Sequence, residues 1–213
     1  VNNAQVDTAQ QKFGTGSALF DGANDYLSIA DSTDFDFGTG DFTFECFVRF
    51  NSLVADQGII DVKDNGFRIE VELTATPFRL EVTIEGTQFN FNWSPSVDTW
   101  YHVAVTRSGS SLRAFIDGTQ IGTTQTNSTD ISGSGTTLVG IRTGLLDDFN
   151  GWIDEIRISK GIARYTSNFT APTAAFGEFD YEYWLYVNTD NIVTFRVSSS
   201  GLAENSTVRA TSL

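Results

Sequence analysis

Methionine is absent, proline occurs three times and cysteine once in 213 residues. The single Cys46 excludes an intrachain disulfide. It lies in an aromatic, alternating segment, where it reads as a small buried apolar residue, and no His context marks it as a catalytic thiol. Basic residues are scarce too: 13 Lys and Arg stand against 27 Asp and Glu, a net charge of −14 and a pI near 4.2. Such a chain repels a phosphate backbone, so nucleic acid is not an expected partner. Anionic membranes and sulfated glycans are disfavoured likewise unless a cation bridges. No apolar run approaches the ~20 residues that cross a bilayer, so membrane insertion is not expected, and no basic segment of signal-peptide type opens the chain. A removed signal peptide would leave the same picture, so a cytoplasmic location does not follow. Helical periodicity is nearly missing.

Aromatics, glycine and alternation are what the chain has. Eighteen Phe and nineteen Gly favour twisted strands joined by Gly and Asp/Asn turns. Phe42, Phe44, Cys46, Val48 and Phe50 share one strand face, with Thr43, Glu45, Phe47 and Arg49 on the other. Strands are also expected at Ser17–Phe20, Tyr26–Ile29, Gly58–Val62, Gly66–Leu73, Phe78–Glu85, Trp100–Arg107, Leu112–Ile116, Thr119–Gly122, Leu138–Arg142 and Gly151–Ser159. Asp117-Gly118 between two of them is a type I′ hairpin signal, because both turn residues need positive φ. Short, evenly spaced strands predict an all-β, two-sheet antiparallel sandwich of jelly-roll type. The Ser/Thr/Gly-rich stretch from Gln125 to Thr137 reads as a surface loop with no core role.

A pattern recurs. Gly40 to Phe50 and Gly177 to Val187 share Gly, Phe and Glu at matched positions and keep most other residues in type. With the small residues around Pro172 as a boundary, this predicts a sandwich over residues 1–175 and an extra C-terminal β segment over 176–213 that starts, or imitates, a second similar unit.

In order and spacing, the chain resembles the laminin G-like branch of the concanavalin A-like lectin/glucanase superfamily. The carriers are Phe13-Gly14-Thr15-Gly16-Ser17-Ala18-Leu19-Phe20-Asp21-Gly22 with Asp25-Tyr26, Gly40 to Phe50, Trp100 to Arg107, Phe115-Ile116-Asp117-Gly118, Gly151 to Ile158, and the closing phrase from Gly161 through Tyr165 to Phe169. The match runs from about Phe13 to Pro172, and its closing phrase is of a type common in phage and environmental bacterial proteins. Members of the branch usually begin with one more apolar strand, where this chain has the polar Val1 to Lys12. The expectation is therefore a piece of a longer multidomain protein, or one whose sandwich is completed by a neighbouring copy.

The resemblance implies a structural calcium ion between the Asp21–Asp25 turn and the last strand, held by Asp25 and Asp154 with oxygens from Gly22 and Asn24. Read without it, Asp21 and Asp25 are ordinary turn formers and Asp154 caps a strand end. Glycan contacts are expected from the cluster of Phe91 and Trp93 with Asn90 and Asn92, whose aromatics and amides alternation places on opposite faces, so that all four serve one site only if the strand ends between them, or from Trp152 beside the Asp147-Asp148 loop. Glu70 and Glu72, and likewise Glu81 and Glu85, have strand alternation but no further flanking catalytic pattern. They read as solvated carboxylates, so no catalytic residue is expected. His102 reads as a satisfied core histidine. The expected function is non-catalytic binding of a glycan or cell-surface polysaccharide by a module of a secreted or virion-surface adhesive protein. The alternatives are an assembly subunit of a fibre, joined to neighbouring copies by strand addition, and, third, a glycoside hydrolase.

Overall fold

The computed structural model describes residues 3–176 and, as backbone, three further strands. Its strands are β1 (Gln5–Asp7), β2 (Ser17–Asp21), β3 (Leu27–Ile29), β4 (Phe42–Phe50), β5 (Gln57–Val62), β6 (Phe67–Glu72), β7 (Arg79–Ile84), β8 (Thr87–Asn92), β9 (Trp100–Ser108), β10 (Ser111–Ile116), β11 (Thr119–Thr126), β12 (Thr137–Val139), β13 (Asn150–Lys160), β14 (Tyr183–Val187), β15 (Val193–Ser199) and β16 (Leu202–Glu204). One 3₁₀ turn, Thr33–Phe35, is capped by Ser32. Two antiparallel sheets form the sandwich, as the alternation predicts. One has the order β11-β10-β9-β4-β13-β14-β15-β16, with β2 also on β13 and β1 on β2. The other is β3-β12-β5-β6-β7-β8.

The interior is built from phenylalanine. Phe42, Phe44 and Phe50 of β4 and Phe67 of β6 are all buried between the sheets. Phe42 and Phe67 meet edge to face at 5.0 Å, and Phe37 stacks on Phe42 at 5.2 Å. Each such ring contributes roughly 2–3 kcal/mol by leaving water. The Asp117-Gly118 hairpin has the expected positive φ at both residues, 49° and 79°.

Unusually, β4 is buried on both faces: Thr43, Glu45 and Phe47 are as inaccessible as the core side. The segment after β13 explains this by folding back over the outer face. Thr43 Oγ1 donates to Ile162 O and Thr106 Oγ1 to Tyr165 O, at 2.8 and 2.7 Å. Tyr165 and Phe169 stack at 3.5 Å, and His102 meets each of them edge-on.

The stretch from Gln125 to Thr137 differs from its expectation. Ile131 is fully buried and bridges Gly38, and Asn127 accepts from the buried Arg107 guanidinium at 3.1 Å. A single apolar residue in a polar segment anchors it to the core, a role invisible to composition. The polar N-terminal stretch likewise supplies a strand, β1, on the edge of β2.

Strand β13 changes partner along its length. Asn150–Ile153 pair with β2, while Ile156–Ile158 pair with β14. The change coincides with a bulge against β4, between Asp154 and Arg157, where Glu155 has φ 50°. In the second copy of the repeat, Gly177 to Glu182 lie outside the described residues.

Candidate functional site

In the six-stranded sheet, alternation sends aliphatic residues inward and leaves polar ones on the face turned away from the core. The register lines these up in rows. Ser28, Leu138, Asp61, Arg68, Thr83 and Gln88 are successive partners across all six strands. Glu70, Glu81 and Asn90 form a second row, and Glu72, Arg79 and Asn92 a third. Gln88, Asn90 and Asn92 on the edge strand are exposed. At the opposite end a cleft of about 350 Å³ opens between Tyr26, Ser28, Leu138, Thr143 and Leu145. The loop after β12 borders it, and Leu145 and Leu146 are each about half exposed. Thr143 N donates to Asp61 Oδ2 at 2.8 Å, holding that loop against the sheet.

The centre of this face is dense with charge. Arg68 Nη2 donates to Glu70 Oε1 at 2.8 Å and lies 3.3 Å from Glu81 Oε1. Glu81 Oε1 also accepts from Thr83 Oγ1 and Gln88 Nε2 at 3.0 and 2.9 Å. Arg79 pairs with Glu72, and Arg142 with Asp147. Glu70 and Glu81 are buried, at 4% and 0% exposure, so the reading of these two as solvated carboxylates is corrected, while Glu72 is half-buried and Glu85 is exposed. Burial raises the Glu70 carboxyl to about 7, Arg68 opposes that shift, and Glu81 reinforces it. Glu72 is raised as well, first by burial.

The residues expected to bind a ligand are scattered. Trp93 is 9% exposed and packs in the core, 5.9 Å from Phe50 and 5.3 Å from Tyr101. It offers no face to a ligand, because β8 directs Phe91 and Trp93 inward and Asn90 and Asn92 outward. Asn92 therefore belongs to the polar face and Trp93 does not. Trp152 lies on the outer side of the other sheet, with Arg49 4.7 Å over its ring and its Nε1 donating to Asp7 Oδ2 at 2.8 Å. Asp148 sits elsewhere, accepting from Asn24 N at 2.7 Å.

The expected calcium ligands are not brought together. Gly22, Asn24 and Asp25 share one turn with Asp148, but Asp154 lies elsewhere. Asp25 accepts from Asn3 N and Asp21 N at 2.7 and 2.9 Å. Asp154 accepts from Lys12 N, Phe13 N and Glu155 N at 2.8, 3.1 and 2.9 Å. Asp21 pairs with Asn150, four residues along β13 from Asp154, or roughly 13 Å at the usual strand rise. Backbone donors already serve both carboxylates, and these four residues do not form a common oxygen cage. Burial raises both carboxyls.

Arg68, Tyr26 and the Arg142–Asp147 loop were not singled out by sequence. The alternation Arg68-x-Glu70-x-Glu72 facing Arg79-x-Glu81-x-Thr83 was the available signal. It becomes a cluster only once the hairpin register sets Glu70 opposite Glu81.

Comparison with known proteins fits this architecture. A Bacteroides ovatus protein provisionally described as carbohydrate-binding superposes with a TM-score of 0.64 at 13% identity, over 96% of this chain and 55% of its own. Domain 4 of AbnA, a GH43 extracellular arabinanase from Geobacillus stearothermophilus solved with arabinotriose, gives 0.59 at 17%, over 76% and 78%. The enzymatically active domain of bacteriophage CBA120 tailspike protein 2 gives 0.56 at 11%, over 82% and 31%. At these identities the likeness is one of fold. The chain spans little more than half of the first of these proteins. No curated protein matches the sequence. A laminin G-type family model, described as concanavalin A-like lectin/glucanases superfamily, matches residues 21–168, more than half of the chain, and the protein belongs to that family.

Proposed function

We propose that this protein is a non-catalytic carbohydrate-binding module whose glycan lies across the polar face of the six-stranded sheet. The observation that carries the reading is the continuity of that face. Exposed amides of Gln88, Asn90 and Asn92 stand at one end, and a cleft with Tyr26 and Leu145 at the other. Amides satisfy sugar hydroxyls, and aromatic and aliphatic surfaces cover sugar C–H faces. The description of the Bacteroides protein and the arabinotriose held by the arabinanase domain support the same reading. The state of the carboxylates supports a non-catalytic reading: a catalytic pair must flank a sugar, whereas Glu70 and Glu81 are buried and Arg68 contacts both.

No helix among the described residues is long and apolar enough to cross a membrane. A place on a secreted or virion-surface adhesive protein agrees with the acidic surface. A second reading, assembly by strand addition, draws on β14 to β16, which extend the larger sheet outward from β13.

The test is a glycan array with the wild-type chain and an Asn90→Ala/Asn92→Ala double variant, alongside a reducing-end assay on the bound glycan. Binding that the double variant weakens at least tenfold, without hydrolysis, supports the proposal. Failure to bind any glycan, or cleavage that Glu70→Gln removes, overturns it.

A further inference from the structure

Two strained turns face each other across the cleft at the β3 end of the polar face. Among the described residues, ten other than glycine have positive φ, and five of them lie in these two turns. Lys63, Asp64 and Asn65 follow one another at 55°, 53° and 79°, while Leu145 and Asp147 stand at 55° and 57°. L-residues visit this region singly and at a cost, and a leucine there is uncommon. Such conformations persist only where surrounding contacts hold them, and they gather at ligand clamps.

Both turns are braced. Lys63 Nζ lies buried beneath the first, against Asp31, Asp36 and the Gly133 carbonyl. Asn65 N donates to Asp61 Oδ1 at 2.7 Å, and Asn65 Oδ1 accepts from Arg68 Nη1 at 2.6 Å. In the second, Leu145 N donates to Arg142 O and Arg142 N to Leu146 O, both at 3.1 Å. Asp147 O accepts from Gly58 N at 2.7 Å. Thr143 Oγ1 joins the two turns, 3.3 Å from Asp64 Oδ1. The bracing displays an exposed Asp64 and a half-exposed Leu145 on the walls of the cleft. Neither supports the core. A leucine held strained and half in water serves something outside the chain.

The lining sets the chemistry. Tyr26, Ser28, Thr136 and Thr143 bring hydroxyls, and Leu138 and Leu145 bring apolar surface. Asp64 brings a carboxylate, which only accepts, and no Lys or Arg lines the cleft among the described residues. Neighbouring cations are engaged: Lys63 with Asp31 and Asp36, Arg142 with Asp147, Arg68 with Glu70 and Glu81. Asp61 adds a second negative charge behind Thr143 N. A ligand carboxylate or sulfate would meet like charge without a partner, whereas sugar hydroxyls donate to Asp64. The volume of about 350 Å³ lies at the small end of ligand sites, roughly 300–1,000 Å³.

Resting on the glycan-binding reading, we infer that this cleft selects an uncharged sugar residue. Leu145 and Tyr26 cover its C–H faces, Ser28, Thr143 and Asp64 take its hydroxyls, and Asp64 turns acidic sugars away.

The experiment is an array of neutral oligosaccharides, each beside its counterpart bearing a C6 carboxylate or a sialic acid, with dissociation constants for the pairs that bind. The wild type should prefer the neutral member at least about tenfold, and ~1 M NaCl should narrow that margin by screening Asp64. Asp64→Asn keeps the turn, because asparagine adopts the left-handed region readily, and should cut the preference below about threefold. Leu145→Gly relieves the strain, so it should melt no earlier than the wild type yet bind the neutral glycan at least about tenfold more weakly. Equal or tighter binding of the acidic members overturns the inference, as does a neutral preference that Asp64→Asn leaves unchanged. Full-strength binding by Leu145→Gly overturns it too. If Asn90→Ala/Asn92→Ala still weakens binding in those cases, the glycan-binding reading survives and the role of the cleft alone falls. A wild type that binds no glycan sinks both.

Discussion

The Tyr165 hydroxyl donates to Glu45 Oε2 at 2.8 Å, joining residues 120 positions apart. Glu45 is wholly buried on the outer face of β4. Its other oxygen accepts from Arg157 Nη2 and Nε at 2.7 and 2.9 Å, and His102 Nε2 lies 3.0 Å from Oε2. Burial by itself would raise this carboxyl. The His102, Arg157 and Tyr165 partners outweigh it and hold the group below its ordinary value. The carboxylate thus fastens the closing segment to the sheet.

Tyr165→Phe removes one hydrogen bond to a charged acceptor and should cost about 1.5–3 kcal/mol in urea unfolding. Glu45→Gln leaves Arg157 without its counter-ion and should cost more, about 3–5 kcal/mol. Equal losses for the two variants would show that Glu45 is not the hub of the contact.

Stability of the protein should be greatest on the acid side of neutrality. Glu70 and Glu155 are both raised to about 7 from 4.5, each chiefly by burial. Between those values the folded chain holds more protons than the unfolded one, so stability falls as pH rises, by at most about 1.4 kcal/mol per pH unit for each group. Glu45 has the opposite sign: its contribution is present above 4.5 and lost as pH falls. Chemical denaturation from pH 3.5 to 8 should show a maximum near pH 4.5–5. Glu70→Gln should flatten the upper limb, and an unchanged slope in that variant would contradict the assignment.

Asp25→Asn should destabilise by about 1–2 kcal/mol whether or not calcium is present, because Asp25 ties Asn3 N to Asp21 N. Paired melts in EDTA and in CaCl₂ measure this. A loss seen only with calcium would restore the turn as an ion site.

Trp93→Ala should cost about 3–5 kcal/mol, as a cavity beside Phe50 and Tyr101 requires. Asn92→Ala, at an exposed position, should change stability by less than about 0.5 kcal/mol. Guanidinium unfolding of both variants separates a core tryptophan from a surface amide. Near-neutral behaviour of Trp93→Ala would place that ring at the surface.

Alternation and turn chemistry alone were enough to establish the β-sandwich. Phe42, Phe44 and Phe50 have no stable place except between two sheets, and Asp117-Gly118 can hardly be anything but a tight turn. His102 was readable as a core residue for a similar reason, since the segment around it is apolar on both faces. What sequence could not decide was adjacency across the chain. Asp25 and Asp154 looked like partners but take up separate backbone donors, and alternation set Trp93 and Asn92 on opposite faces without saying which of the two faced the core. Glu70 and Glu81 looked solvated until register set them opposite one another and burial withdrew them from water. Local pattern reports which way a side chain points relative to its own strand. Only the pairing of strands, fixed by the global packing of the aromatic core, determines which charges must share a space from which water is excluded.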